Sequence, residues 1–304
     1  MAKDLHELPK LRDSISHLYI EHKKIEQEGK SIVAVDTDGR MPIPVASLTS
    51  LMIGPGCSIT HSAIRTMCEN GCMAIWCGEG MGRFYASGIG ETRSSERLIL
   101  QAKLWANDNL HMEVIRRMYL RRFDVHISED MTLQQIRGKE GIRVRESYRK
   151  ASEETGVEWK GRNYDKGNWN NADPINRALS SANACLYGVC HAAIVSLGYS
   201  PGLGFVHSGK QLSLVYDVAD LYKADITIPL SFQTVANDPD KLEREIRIAC
   251  LQAFKEKKLL SRIPIDLSWI FDVNMENIDD NMNNAGMLWD EKNGVVPGGI
   301  NHGD

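Results

Sequence analysis

No apolar run in the 304-residue chain approaches the ~20 residues that span a bilayer, which argues against a membrane protein. The opening residues, MAKDLHELPKLRD, carry no apolar signal core, so a cytoplasmic location is expected. The seven cysteines, at 57, 68, 72, 77, 185, 190 and 250, include no CxxC pair. Cys68 and Cys72 could share a helix face, but no second pair has zinc-like spacing. Reduced, mostly buried thiols are therefore expected. Walker and dinucleotide-binding spacings are missing too. The glycine-rich Gly78–Gly82 follows a strand pattern with no helix start behind it, so it reads as a hairpin turn. No internal repeat is visible.

What is present is ordinary in bulk. Apolar content is 42% and charged content 25%, as in a globular protein. The length exceeds the roughly 250–300 residues at which one core stops growing, which makes two domains the prior. The net charge of −4 is unevenly spread. Residues 274–304 hold six acids and one lysine, a net of −5, which leaves +1 for residues 1–273. Within that body Arg137–Lys150 carries six basic residues and two acids, suiting a basic groove or a solvated helix face.

From about residue 14 to 88 the chain reads as β structure. Ser31–Asp36 is β-branched and apolar, Asp38-Gly39 supplies a hairpin turn, and Met41–Leu48 has the prolines of an edge strand. Ser50–Ile53 and Cys72–Cys77 are further strands, and Arg83–Ser87 another. Between them Thr60–Glu69 is a short helix stopped by Asn70-Gly71. Beyond Gly88 the period becomes helical. Ser94–Asn107 comes first, then Met112–Phe123 with Arg116, Arg117, Arg121 and Arg122 on a basic face. Thr132 is placed to cap a helix running to about Glu154. In the polar loop 155–172, Trp159, Tyr164 and Trp169 alternate with Lys160, Arg162 and Lys166, suiting base stacking or anchoring of the loop. Asp173-Pro174 then opens a helix rich in small residues that Gly198 stops, a candidate central helix. Asp238-Pro239 is expected to start another, to about Leu260. From Asn274 onward the chain is Asn/Asp/Gly-rich and is expected to lack fixed structure.

The chemistry concentrates in Gly202–Lys223, GLGFVHSGKQLSLVYDVADLYK. Asp217 and Asp220, three apart, would share a helix face. With the His207 imidazole they are a ligand set for a magnesium- or manganese-type cation. The plainer alternative makes Asp217 an N-cap and His207 a loop residue. Glu140, flanked by Arg137, Arg143 and Arg145, reads by itself as a solvated ion-pair partner.

Read together, Glu140-Gly-Ile-Arg-Val-Arg, DPINRALSSANACLYG and GFVHSGKQLSLVYDVADLYK resemble the integrase-nuclease of CRISPR adaptation, most closely its type I-E subgroup. PGCSITHSAIR and RFYASG extend the resemblance, which runs from about residue 11 to 262. It implies an α+β protein: an N-terminal β domain (1–91) for dimerisation and DNA-end contacts, an all-helical catalytic domain (92–273), then the acidic tail (274–304). It implies one Mg2+ or Mn2+ held by Glu140, His207 and Asp220, with Asp217 auxiliary while still capping its helix. The implied reaction is attack of a prespacer 3′-hydroxyl on the repeat phosphodiester. Tyr164, Tyr187, Lys210, Tyr216 and Lys223 would surround the site, and Arg65, Arg83, Arg137, Arg145, Arg244 and Arg247 would grip the DNA backbone. The implied partners are double-stranded prespacer and repeat DNA, a second copy of the chain, and the small dimeric adaptation protein between two integrase dimers. Two positions depart from the subgroup: His22 replaces a wedging tyrosine, and Ser58 an arginine. A structure-selective nuclease for branched DNA and a non-catalytic nucleic-acid scaffold are the competing readings.

Overall fold

The β-branched run Ser31–Asp36 folds back at Asp38-Gly39 into a hairpin of the computed structural model. It describes residues 17–90, 95–123, 128, 131–162, 173–238, 240–272, 287–290 and 294–297. Strands β3 (Ser31–Asp36) and β4 (Gly39–Ile43) pair antiparallel in the register Asp36↔Gly39. The side chain of Asp36 accepts the N–H groups of Asp38 and Gly39 and so holds the turn. With β2 (Lys24–Glu28) and β6 (Ser58–Ile59) they make a sheet of order β4-β3-β2-β6. The prolines Pro42 and Pro44 therefore fall on or beside an edge, where no ladder donor is missed.

A second sheet has the order β1-β5-β7-β8, from β1 (His17–Ile20), β5 (Ser50–Ile53), β7 (Met73–Cys77) and β8 (Phe84–Gly88). β1, β5 and β7 run parallel and β8 antiparallel. All four residues of β5 are buried, as expected of a strand covered on both faces. Helix α1 (His61–Glu69), capped by the Thr60 hydroxyl, sends Ala63 and Met67 into the core of this region.

The second half is helical: α2 (Glu96–Ala106), α3 (Asp108–Phe123), α4 (Leu133–Thr155), α5 (Pro174–Leu197), α6 (Ser213–Tyr222), α7 (Ile228–Ala236), α8 (Leu242–Glu256) and α9 (Leu259–Phe271). α4 begins with a capping box between Thr132 and Gln135 and ends at Gly156 in the left-handed region, φ 73°. Gly138 and Gly141 lie inside it without breaking it. α5 is the central helix. The Asp173 side chain accepts from Asn176 N–H, Pro174 fills the first turn, and Gly198 at φ 87° ends it. Its length and composition would suit a bilayer, but 67% of its most apolar stretch is buried inside the protein.

α5 also meets the β region. Ala192 joins Met52, Met73, Ile75 and Cys77 of the second sheet in one buried cluster. His191 stacks on Phe84 at 3.6 Å. At Gly188 a Cβ would lie 2.6 Å from the Met81 carbonyl oxygen, so only glycine permits this approach.

Four expectations need correction. The helix expected from Asp238 starts at Leu242, and Asp238 has φ 46°; Pro239 lies outside the described residues. It ends at Glu256 rather than near Leu260, and Lys258 turns left-handed (φ 49°) to start a further helix, α9, with Pro264 inside it. α7, entered through a π turn at Lys223–Thr227, was not anticipated. The tail expected to be unstructured contains, among its described residues, an antiparallel hairpin of β9 (Met287–Asp290) and β10 (Gly294–Pro297). The rest of that expectation lies outside the described residues.

Candidate active site

Helical spacing builds three sides of the site. On α3, Met118, Tyr119 and Arg122 fall within one turn of each other, and on α4 Glu140 sits one turn after the buried Ile136. On α6, Asp217 and Asp220 do share a face, and with Leu221 and Val206 they close a pocket of about 20 Å³. That space admits one water molecule or one ion. The Tyr119 hydroxyl donates to Glu140 Oε2 at 2.7 Å. Arg122 Nη1 pairs with Glu140 Oε1 and lies 3.8 Å from Asp220 Oδ2. Lys223 Nζ reaches Asp220 Oδ1 at 2.6 Å. Burial, and then the Glu140 carboxylate, drives the Tyr119 phenol well above its ordinary pKa, so it stays a donor at neutral pH.

The fourth side is the loop before α6. Asp217 is buried, and its carboxylate accepts the successive N–H groups of Phe205 (2.6 Å), Val206 (3.1 Å) and His207 (2.9 Å). The N-cap expected at Asp217 is therefore wrong. α6 begins at Ser213, and Asp217 ties down the loop preceding it rather than its own helix start. The same carboxylate holds His207 Nδ1 at 2.7 Å. That hydrogen bond raises the imidazole pKa and, in the neutral ring, leaves the Nε2 lone pair for a ligand. Gly204 makes the tight loop possible, since a Cβ there would stand 2.5 Å from the His207 carbonyl oxygen.

Beside the small pocket lies an open cleft of about 300 Å³ lined by Tyr187, His207, Ser208, Lys210, Ser213, Tyr216 and Lys223. Tyr187 and Tyr216 meet edge to face at 5.1 Å, and Lys223 Nζ is 4.9 Å from the Tyr187 ring centroid. Two ammonium groups, an imidazole and two aromatic faces suit a phosphodiester with its flanking nucleotides.

Comparison with known proteins settles the family. Residues 117–261 match the model of CRISPR associated protein Cas1. A CRISPR-associated endonuclease Cas1 of Thermus thermophilus is 50% identical, over 99% of this chain and 94% of its own. This chain belongs to the Cas1 family. A Cas1 endonuclease of Escherichia coli is 39% identical over 83% of each chain. The crystal structure of a TtCas1–DNA complex superposes with a TM-score of 0.81 at 52% identity, covering 88% of this chain and 100% of that one. The N-terminal β region followed by a mostly helical region is the Cas1 fold.

Within this Cas1 chain the expected site residues divide into groups. Glu140, Asp217 and Asp220 line the small pocket, while His207, Lys210, Tyr187, Tyr216 and Lys223 line the adjoining cleft. Arg65, Arg145, Arg244 and Arg247 are exposed, as is Arg83 on the β region; Arg65 pairs with Glu69 at 3.6 Å. Arg137 is exposed and donates to the Val206 carbonyl at 3.3 Å. His22 is exposed at a left-handed turn, φ 55°, where its backbone N–H donates to Pro55. Tyr164 and Trp169 lie outside the described residues. Trp159 is an anchor: it stacks on Tyr148 at 4.4 Å and packs edge-on against Phe232. Tyr119 and Arg122 were not anticipated as site residues. Their spacing on α3 was the available signal, but their partners lie on other helices.

Among the described residues no three of His, Cys, Asp and Glu stand together as a metal cage. Arg122 draws Glu140 and Asp220 to itself, and Asp217 holds His207. The donors nevertheless fit a hard divalent cation in kind. The carboxylates of Glu140, Asp217 and Asp220 border an ion-sized space, and the His207 imidazole, oriented by Asp217, lines the cleft beside it.

Proposed function

We propose that this chain is a metal-dependent DNA integrase and endonuclease of CRISPR spacer acquisition, of the type I-E subgroup. The observation that carries the reading is the ion-sized acidic pocket opening beside a cationic, tyrosine-lined cleft in a Cas1-family chain. Glu140, His207 and Asp220 would hold Mg2+ or Mn2+, which when bound polarises the scissile phosphate and lowers the pKa of the attacking hydroxyl. The chain's own groups do the rest. Lys210 and Lys223 bring positive charge to the phosphate oxygens, and Tyr187 and Tyr216 wall in the flanking nucleotides. Asp217 keeps His207 in the tautomer that leaves Nε2 open.

In the reaction, a prespacer 3′-oxygen forms a bond to phosphorus as the repeat strand's P–O3′ bond breaks. The hydroxyl proton is lost, and the departing 3′-oxygen takes one up. Water in place of the 3′-hydroxyl gives cleavage. The exposed arginines supply salt-sensitive backbone affinity rather than sequence choice. A homodimer, a cytoplasmic location and assembly of two dimers around the small adaptation protein complete the reading.

The test combines the purified protein, that small partner, Mg2+, a prespacer duplex and a supercoiled plasmid bearing the repeat. Covalent prespacer–plasmid joining is expected. Cleavage with no joined product would instead make the protein a nuclease, and binding with neither product a scaffold.

A further inference from the structure

We propose that Arg122 is the built-in counter-cation of the site: it holds the Glu140 and Asp220 carboxylates in the cation-free protein and sets the affinity for a divalent cation by competing for them. The proposal rests on the reading of Glu140 and Asp220 as ligands. Two carboxylates carried by α4 and α6 into a pocket of about 20 Å³ repel each other unless a cation stands between them. Arg122 is that cation in this structure, its side chain 8% exposed against 19% for each acid.

The way Arg122 is bound separates it from a settled structural ion pair. A guanidinium suited to carboxylates engages them as a fork, through two nitrogens. Here Nη1 alone hydrogen-bonds Glu140 and, at 3.8 Å, faces Asp220. The Nε is buried and has no partner among the described residues. A buried donor left empty is costly, so the guanidinium is held by charge more than by fit. Its Cζ also lies 4.9 Å from the Phe123 ring centroid, a cation–π contact made while Nη1 is on the acids. Neither acid depends on Arg122 alone for its position: Tyr119 holds Glu140 and Lys223 holds Asp220. The acids can thus exchange one cation for another without losing their places.

The experiment is Mn2+ titration of the full-length protein by calorimetry, with thermal melts before and after Mn2+ addition. It compares the wild type with Arg122→Gln, Arg122→Lys and Glu140→Gln. Losing a charge-assisted competitor should tighten Mn2+ binding roughly tenfold in Arg122→Gln. The cation-free protein should melt lower and gain more on Mn2+ addition. Lysine keeps the charge but not the reach, so Arg122→Lys should fall between the two. If Arg122→Gln does not fold, the lysine variant carries the test with an expected gain of about threefold. Affinity within twofold of wild type, or weaker, in the folded variant overturns the counter-cation role while Glu140→Gln still loses Mn2+. If Glu140→Gln binds like wild type, or wild type binds no Mn2+, the ligand reading itself falls and takes this proposal with it.

Discussion

Glu140→Ala, His207→Ala and Asp220→Ala are each expected to lower strand joining and branched-DNA cleavage by about a thousandfold or more. DNA affinity measured in EDTA should stay within about twofold of wild type. A bound cation supplies several kcal/mol of transition-state stabilisation, and each 1.36 kcal/mol is about tenfold in rate. Removing a ligand forfeits most of that stabilisation. Affinity should survive because the proposed backbone contacts are exposed arginines away from the pocket, at 65, 83, 145, 244 and 247. The three variants should also differ in stability. Asp220→Ala leaves Lys223 without the partner that it reaches at 2.6 Å, whereas His207 is already 44% exposed and its loss disturbs less. Full joining activity in any one variant would remove that residue from the ligand set.

The largest effect on stability is expected away from the chemistry, at Asp266. This carboxylate is 1% exposed and joins three elements. Arg121 of α3 donates through Nε at 2.7 Å, Tyr222 of α6 through its hydroxyl at 2.6 Å, and Arg262 of α9 lies 3.4 Å away. Breaking a buried charged network by removing one member costs about 3–5 kcal/mol, because the partners remain buried and unpaired. Arg121 and Arg262 are 40% and 37% exposed and can turn to water, which places Asp266→Ala near the lower end, at about 3 kcal/mol. Tyr222 cannot escape in this way, being 1% exposed. The measurement is the denaturant midpoint of the full chain, with Tyr222→Phe beside it as a milder loss of about 1 kcal/mol. An Asp266→Ala midpoint equal to that of wild type would show that the network holds nothing together.

The local grammar of the chain was readable wherever structure is decided within a few residues. Asp173-Pro174 and Gly198 bracket α5, Thr132 starts α4, and Asp38-Gly39 turns the β3–β4 hairpin, each by a contact between near neighbours. Asp217 was misread because its partners are the N–H groups of residues 205–207, ten to twelve positions back, and helix grammar offered only a cap. α9 was hidden by Pro264, a residue that usually marks a helix boundary but here lies inside a buried helix. α7 was hidden by the π turn at Lys223–Thr227, which breaks the 3.6-residue period. The arginines of α3 looked alike in sequence. Only folding sends Arg122 to Glu140, Arg121 to Asp266 and Arg117 to the Trp269 carbonyl. The proposed site residues come from resemblance to a family, and what the structure adds is how those side chains are held.

The most direct measurement of the central claim is an anomalous difference map from crystals of this protein soaked in Mn2+. One strong peak is expected in the pocket bordered by Glu140 and Asp220, with His207 brought to it and Arg122 drawn off the two carboxylates. A pocket without a peak while Arg122 still bridges Glu140 and Asp220, or a peak bound elsewhere, would contradict it.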